Sequence, residues 1–124
     1  MQNRYTGDIG DFSKLGLLRV LEAQGFSIGL NWYLSPDETH NNDGKHIGYL
    51  KDEDRSSAIY RSCDEALWRE LKEIVEADRR AISSMEKDSI IKARFFSEML
   101  DQAAVTKAID QMLETSWKEL FMKL

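Results

Sequence analysis

Hydrophobic and polar positions follow two rhythms along this chain, and each rhythm predicts its own kind of element. From residue 27 to residue 34 the period is two. Ile28, Leu30, Trp32 and Leu34 share one face and Gly29, Asn31 and Tyr33 the other, which predicts a half-buried strand. Upstream, Leu15, Leu18 and Leu21, with Leu17 beside them, fall on one face of a helix through residues 12–22. Asp11 stands where a side chain caps that helix, and Gly25 where the chain leaves it. Residues 46–50 and 81–85 read as two further short strands. Ser62 and Glu65 have the spacing of a capping box, opening a helix with Leu67, Leu71, Ile74 and Val75 on one face and Trp68 at its flank. From Gln102 on, Val105, Ile109, Met112, Leu113, Leu120 and Phe121, with Trp117, make an apolar stripe of helical period. The expected fold is a mixed, helix-rich α/β domain: a small sheet flanked by helices, with crossovers of the kind parallel strands need.

Composition narrows this picture. The 124 residues, 42% hydrophobic and 31% charged, suit one domain, with a polar-loop and strand region over residues 1–50 and a mainly helical region over 51–124. A net charge of −5 argues against coating nucleic acid through its phosphates. Arg79 with Arg80, or Lys92 with Arg94, remain as local basic sites, although a solvated helix face is the simpler reading. Cys63 is the single cysteine, so no intrachain disulfide forms; it is expected to be a buried structural residue near a helix start. The first residues lack a secretory leader, and no run approaches the ~20 apolar residues that cross a bilayer, so the expected compartment is the cytoplasm, without membrane contact. The methionines, Trp68 and Trp117 are expected in the core.

Candidate chemistry concentrates in two polar segments. In Gly7-Asp8-Ile9-Gly10-Asp11-Phe12-Ser13-Lys14, the glycines permit tight turns and close approach of a ligand, and a helix start offers free amides. Lys14 suits an anionic group and Asp8 a ribose hydroxyl or an amine. The alternative is a capped helix with a glycine-rich entry turn. Residues 35–44 are turn chemistry throughout, and residues 37–46 gather both histidines, His40 and His46, with Asp37, Glu38, Asp43 and Lys45. Histidine titrates near neutrality, so His40 or His46 is the acid–base candidate. Asp37, Glu38 and Asp43 offer oxygen ligands to a divalent cation. Pro36-Asp37 followed by Asp43-Gly44-Lys45 also has the letters of a metal-dependent nuclease, in which carboxylates hold Mg²⁺ and a lysine helps activate water. The gap between the two elements is short for such a site.

The run from Asn3 to Lys14 with Gly16-Leu17-Leu18-Arg19, then Trp32-Tyr33-Leu34-Ser35-Pro36-Asp37-Glu38 and Asn42-Asp43-Gly44-Lys45-His46, resembles a family of uncharacterised bacterial and phage proteins. Arg61-Ser62-Cys63-Asp64 and Arg94-Phe95-Phe96 resemble its weaker downstream marks. The family layout is similar to Rossmann-type methyltransferases acting on adenine in nucleic acid. That resemblance implies an incomplete Rossmann-like core and S-adenosylmethionine as cofactor. Gly10, Asp11 and Lys14 would then lie near its methionine end, with Asp37 and His40 in the loop after the first strand. The chain lacks a Gly-x-Gly in that loop and the later Asp-Pro-Asp-Asn-Gly strand, so it is expected to be a short family member.

Three functions follow as expectations. The first is a nucleotide- or S-adenosylmethionine-binding, methyltransferase-like domain. It would bind through Asp8, Gly10, Asp11, Lys14, Asp43 and Lys45, with His40, His46 and Asp37 as catalytic candidates. The second is a Mg²⁺-dependent nuclease using Asp37, Asp43 and Lys45. The third is a non-catalytic interaction protein that forms a homodimer through its C-terminal helix.

Overall fold

A computed structural model describes residues 1–99, 107 and 121–123. A 3-10 turn at Asn3–Tyr5 leads into α1 (Ile9–Ala23), then β1 (Gly29–Asn31), a second 3-10 turn at Gly48–Leu50, α2 (Ser57–Cys63), α3 (Glu65–Glu76), α4 (Ile82–Lys87), β2 (Arg94–Phe96) and β3 (Phe121–Lys123). The architecture is mixed α/β and helix-rich. The three strands form one parallel sheet in the order β2-β1-β3, with Leu30 opposite Phe95 on one side and Met122 on the other. No helix of the described residues is long and apolar enough to cross a membrane.

The helical stripes form the core. Phe12, Leu15 and Leu18 of α1 pack with Leu67, Trp68, Leu71 and Ile74 of α3, and with Leu30, Trp32, Ile82 and Met85. The period-two reading holds for burial along β1 and beyond it: Leu30, Trp32 and Leu34 are buried, while Gly29, Asn31 and Tyr33 are only partly so. Trp32 meets Phe95 of β2 edge to face, ring centroids 5.4 Å apart. Arg19 ties α1 to α3 and to the approach to β2. Its Nε donates to Asp64 at 2.7 Å and its Nη1 to the Ile90 carbonyl at 2.8 Å. Segments 16–19 and 61–64 therefore meet in one ion pair.

Several expected elements differ. The strand through residues 27–34 is regular only over Gly29–Asn31, because Tyr33 turns to φ 47°, outside extended backbone. Residues 46–50 are not a strand and close no hairpin. Tyr49 is drawn inward, its hydroxyl donating to the Gly7 carbonyl at 2.8 Å, and Trp68 Nε1 donates to the Tyr49 carbonyl at 2.9 Å, which suits the 3-10 turn. Residues 81–85 are not a strand either. They open α4, where Ile82 and Met85, three apart, turn the same face to the core. The α3 cap is Asp64, which accepts the Leu67 N–H, whereas the Ser62 hydroxyl donates to Ile59 within α2. Cys63 ends α2 and is exposed, not buried. Leu17 is also exposed, at 60%, and Met99 at 43%, so neither joins the core. Val105, Ile109, Met112, Leu113, Trp117 and Leu120 lie outside the described residues, and with them the expected dimer helix. Phe121, assigned to that helix, supplies backbone to β3.

Candidate functional site

The start of α1 is built by two carboxylates. Asp8 is the cap: its Oδ1 accepts the Asp11 N–H at 3.0 Å, three positions ahead of the expected cap Asp11. Asp11 lies instead inside the first turn, 1% exposed, and reaches back so that its Oδ2 accepts the Gly7 N–H at 3.1 Å. Gly7 makes this possible with φ 84°, where a side chain would also strike Val75. The Ile9 N–H donates to the His46 carbonyl at 2.9 Å. Two of the amides that a helix start offers an anion are therefore already bonded, one to Asp8 and one to His46.

Residues 1–8 and 35–46 lie against each other beyond the carboxyl end of β1. The Met1 amine donates to the Trp32 and Tyr33 carbonyls, and Gln2 bridges Ser35 in parallel register. Arg4 donates its backbone N–H to Asp37 at 3.2 Å, and its guanidinium donates to the Asn41 carbonyl at 3.0 Å and to the Asn41 side chain. Gly44 is buried at φ 81°, pressed so close that a Cβ would lie 2.6 Å from the Arg4 carbonyl. Arg80, from the segment after α3, closes the joint. Its Nε donates to the Thr6 carbonyl and its Nη2 to the Gly44 carbonyl, each at 2.7 Å. Just beyond it, Asn3 accepts the Ile82 N–H at 3.0 Å.

Electrostatics follow from this packing. Burial, then the neighbouring Asp8, pushes the Asp11 carboxyl up to about 7, against the opposing pulls of the Gly7 N–H, Lys14 and Arg80. Burial also raises the Tyr49 hydroxyl, with Asp11 and Asp8 adding to it. Burial draws Arg80 down, and Asp8 and Asp11 partly restore it. The Met1 amine is lowered by burial and by Lys14.

The sequence-selected residues divide into two groups. Asp8, Gly10 and Asp11 share the α1 entry, where a Cβ on Gly10 would sit 3.3 Å from Asp8 Oδ1. Asp37 joins them through Arg4, and His46 only through its carbonyl. The side chains of Lys14, Asp43, Lys45, His40 and His46 point into solvent. His40 Nε2 lies 3.8 Å from Glu38, at the rim. The metal cage does not form: among the described residues no three of His, Cys, Asp and Glu are gathered to hold an ion. Asp37, Glu38 and Asp43 therefore do not form a three-ligand cage, and Asp37 instead accepts the Arg4 N–H. Arg80, whose charged stretch suits a solvated helix face, is the half-buried clamp of the joint. Tyr49 was read as a strand residue. Neither carried a local signal, since their partners lie 74 and 42 positions away. Arg79 pairs with Asp88 at 3.1 Å in a part-buried contact.

No family model matches this chain, nor does any curated protein or solved structure.

Proposed function

We propose that the chain is a nucleoside- or S-adenosylmethionine-binding, methyltransferase-like domain whose site is the joint between the α1 entry and loop 37–46. The observation that carries this reading is the placement of two carboxylates, Asp8 and Asp11, at the head of a helix beyond the carboxyl end of a parallel strand. Open parallel sheets bind ligands outside the carboxyl ends of their strands. An incomplete Rossmann-like core would put this joint at such a place, beside the central strand of the order β2-β1-β3.

The chemistry of the joint selects among ligand groups. With the Ile9 and Asp11 amides bonded within the protein and two acids beside them, the helix head suits a cation or a hydroxyl donor better than a phosphate. Asp8 is the residue to accept from a ribose hydroxyl or an amino group. Lys14, exposed one turn into α1, is left for a carboxylate at the rim. His40 and His46 supply acid–base capacity from the solvent side.

A thermal-shift titration tests this. S-adenosylmethionine or adenosine at about 100 times its dissociation constant stabilises the fold by about 2.7 kcal/mol, a rise on the order of 10 °C for a domain of this size. Asp8→Asn removes the shift. Inorganic triphosphate alone produces none. No shift with either nucleoside at millimolar concentration overturns the reading.

A further inference from the structure

We propose that Asp11 is a proton-controlled latch on the joint between turn 6–8 and loop 41–46: the protonated carboxyl keeps the joint shut, and its ionisation loosens it. The inference goes beyond ligand binding, because it rests on how the joint itself is built and holds whatever the site takes.

The geometry is that of a buried carboxyl that no cation contacts among the described residues. Asp11 is 1% exposed, its hydrogen-bond partner is the Gly7 N–H, and among the described residues no ion pair forms on it. Among the described residues, the charged or titratable groups facing it make their hydrogen bonds elsewhere, stand in solvent or are of the wrong sign. Asp8 is a second carboxylate and already accepts the Asp11 N–H. Arg80 spends its guanidinium on the Thr6 and Gly44 carbonyls. The Met1 amine donates to the carbonyls of Trp32 and Tyr33. Lys14 stands in solvent on the next turn of α1. Tyr49 directs its hydroxyl proton to the Gly7 and Asp8 carbonyls, not to Asp11. A negative charge at this place has one N–H to receive it, an acid beside it and only the through-space pull of Arg80 and Lys14 to offset that, so water is its main further source of solvation.

Water reaches Asp11 when the turn above it lifts. That turn is held down by Tyr49, by Arg80 and by the Ile9 N–H on His46, and these bonds tie it to the loop. The closed joint holds the Asp11 proton up to about pH 7, whereas an opened, hydrated carboxyl returns toward the ordinary value of 3.8. The closed form thus binds the proton more tightly. Raising the pH between those two values drives opening, and above about 7 both forms are ionised and the effect levels off.

Amide exchange of Ile9, whose N–H crosses the joint, reads the opening directly. After correction for intrinsic exchange, the opening constant rises about tenfold per pH unit through the acid range and flattens above 7 in the native protein. In Asp11→Asn, which keeps an oxygen for the Gly7 N–H and cannot ionise, the same profile is flat. This variant also subtracts any contribution from His46. The Asp11 ¹³Cγ shift in the native protein provides a second measurement that needs no substitution, with an expected midpoint near 7. A flat native profile, equal slopes in both proteins, or a carboxyl midpoint below about 5 overturns the latch.

Discussion

Replacing Arg80 by methionine should undo the joint while keeping most of the side chain's apolar stem. The arginine makes two hydrogen bonds to backbone carbonyls, both 2.7 Å long, and the residues accepting them, Thr6 and Gly44, are buried. A hydrogen bond from a charged donor contributes about 1.5–3 kcal/mol, and the half-buried position of Arg80 places each at the low end, so together about 3 kcal/mol is lost. With an m-value of about 1–3 kcal/mol/M, the urea midpoint should fall by roughly 1–3 M. Tryptophan fluorescence follows the transition, since Trp32 and Trp68 are both core residues. Arg80→Lys keeps the charge but not the fork that spans two carbonyls, and it should lose about half as much. The neighbour Arg79 supplies the control. Its partners are side chains, not buried carbonyls, with Asp88 at 3.1 Å in a part-buried contact and the exposed Glu73 at 3.9 Å, and Arg79→Met should cost about 1 kcal/mol. An Arg80→Met protein within about 0.5 kcal/mol of the native one, or no weaker than Arg79→Met, would refute the clamp.

Four further outcomes follow. Asp11→Asn should match the native protein in stability near pH 4 and gain on it by about 1.4 kcal/mol per pH unit, toward about 4 kcal/mol above pH 7, because the folded-state value near 7 exceeds the ordinary 3.8. Urea titrations at pH 4.5 and 8 that give the same difference would contradict this. Gly44→Ala should destabilise by about 2–3 kcal/mol, since positive φ and a Cβ 2.6 Å from the Arg4 carbonyl act together; a melting temperature unchanged within a degree counts against it. Arg19→Ala should cost about 2 kcal/mol, and a double-mutant cycle with Asp64→Asn should show coupling near 1 kcal/mol; strict additivity would remove the ion pair from the account. Native Cys63 should be alkylated by iodoacetamide at the rate of a free thiol with helix content retained, whereas a protected thiol would return it to the interior.

How much of this was legible depended on the distance over which a residue's partner lies. Leu15, Leu18, Leu67, Leu71 and Ile74 were found by spacing, because a helical stripe is a property of neighbours in sequence. Asp8, Asp11 and the 37–46 loop stood out for the same reason: glycines, acids and turn residues cluster locally. Residues 46–50 and 81–85 misled, since five residues of mixed polarity fit a strand as readily as a turn of helix. The decision came from Tyr49 bonding to Gly7 and from the Ile82 N–H bonding to Asn3, 42 and 79 positions away. Arg80 was illegible on the same ground. One basic residue in a charged stretch looks like any other until the carbonyls it bonds are known. The carboxylates of the 37–46 loop show the converse: residues adjacent in sequence need not be gathered in space, and Asp37 is directed to Arg4 instead.

The Arg80 clamp also bears on how the chain folds as it is synthesised. Thr6 and Arg80 stand 74 positions apart. At about 5–20 residues per second, the N-terminal turn leaves the ribosome roughly 4–15 s before the side chain that seats it. For most of that interval α1 is without Leu67 and Leu71, and throughout it the Gly44 loop lacks its anchor. Helix formation takes less than a microsecond, so this delay, not local structure, sets the period during which Phe12, Leu15 and Leu18 are open to other chains. A nascent chain halted with residue 80 still inside the ribosome should therefore be held by a chaperone that releases one in which residue 80 has emerged.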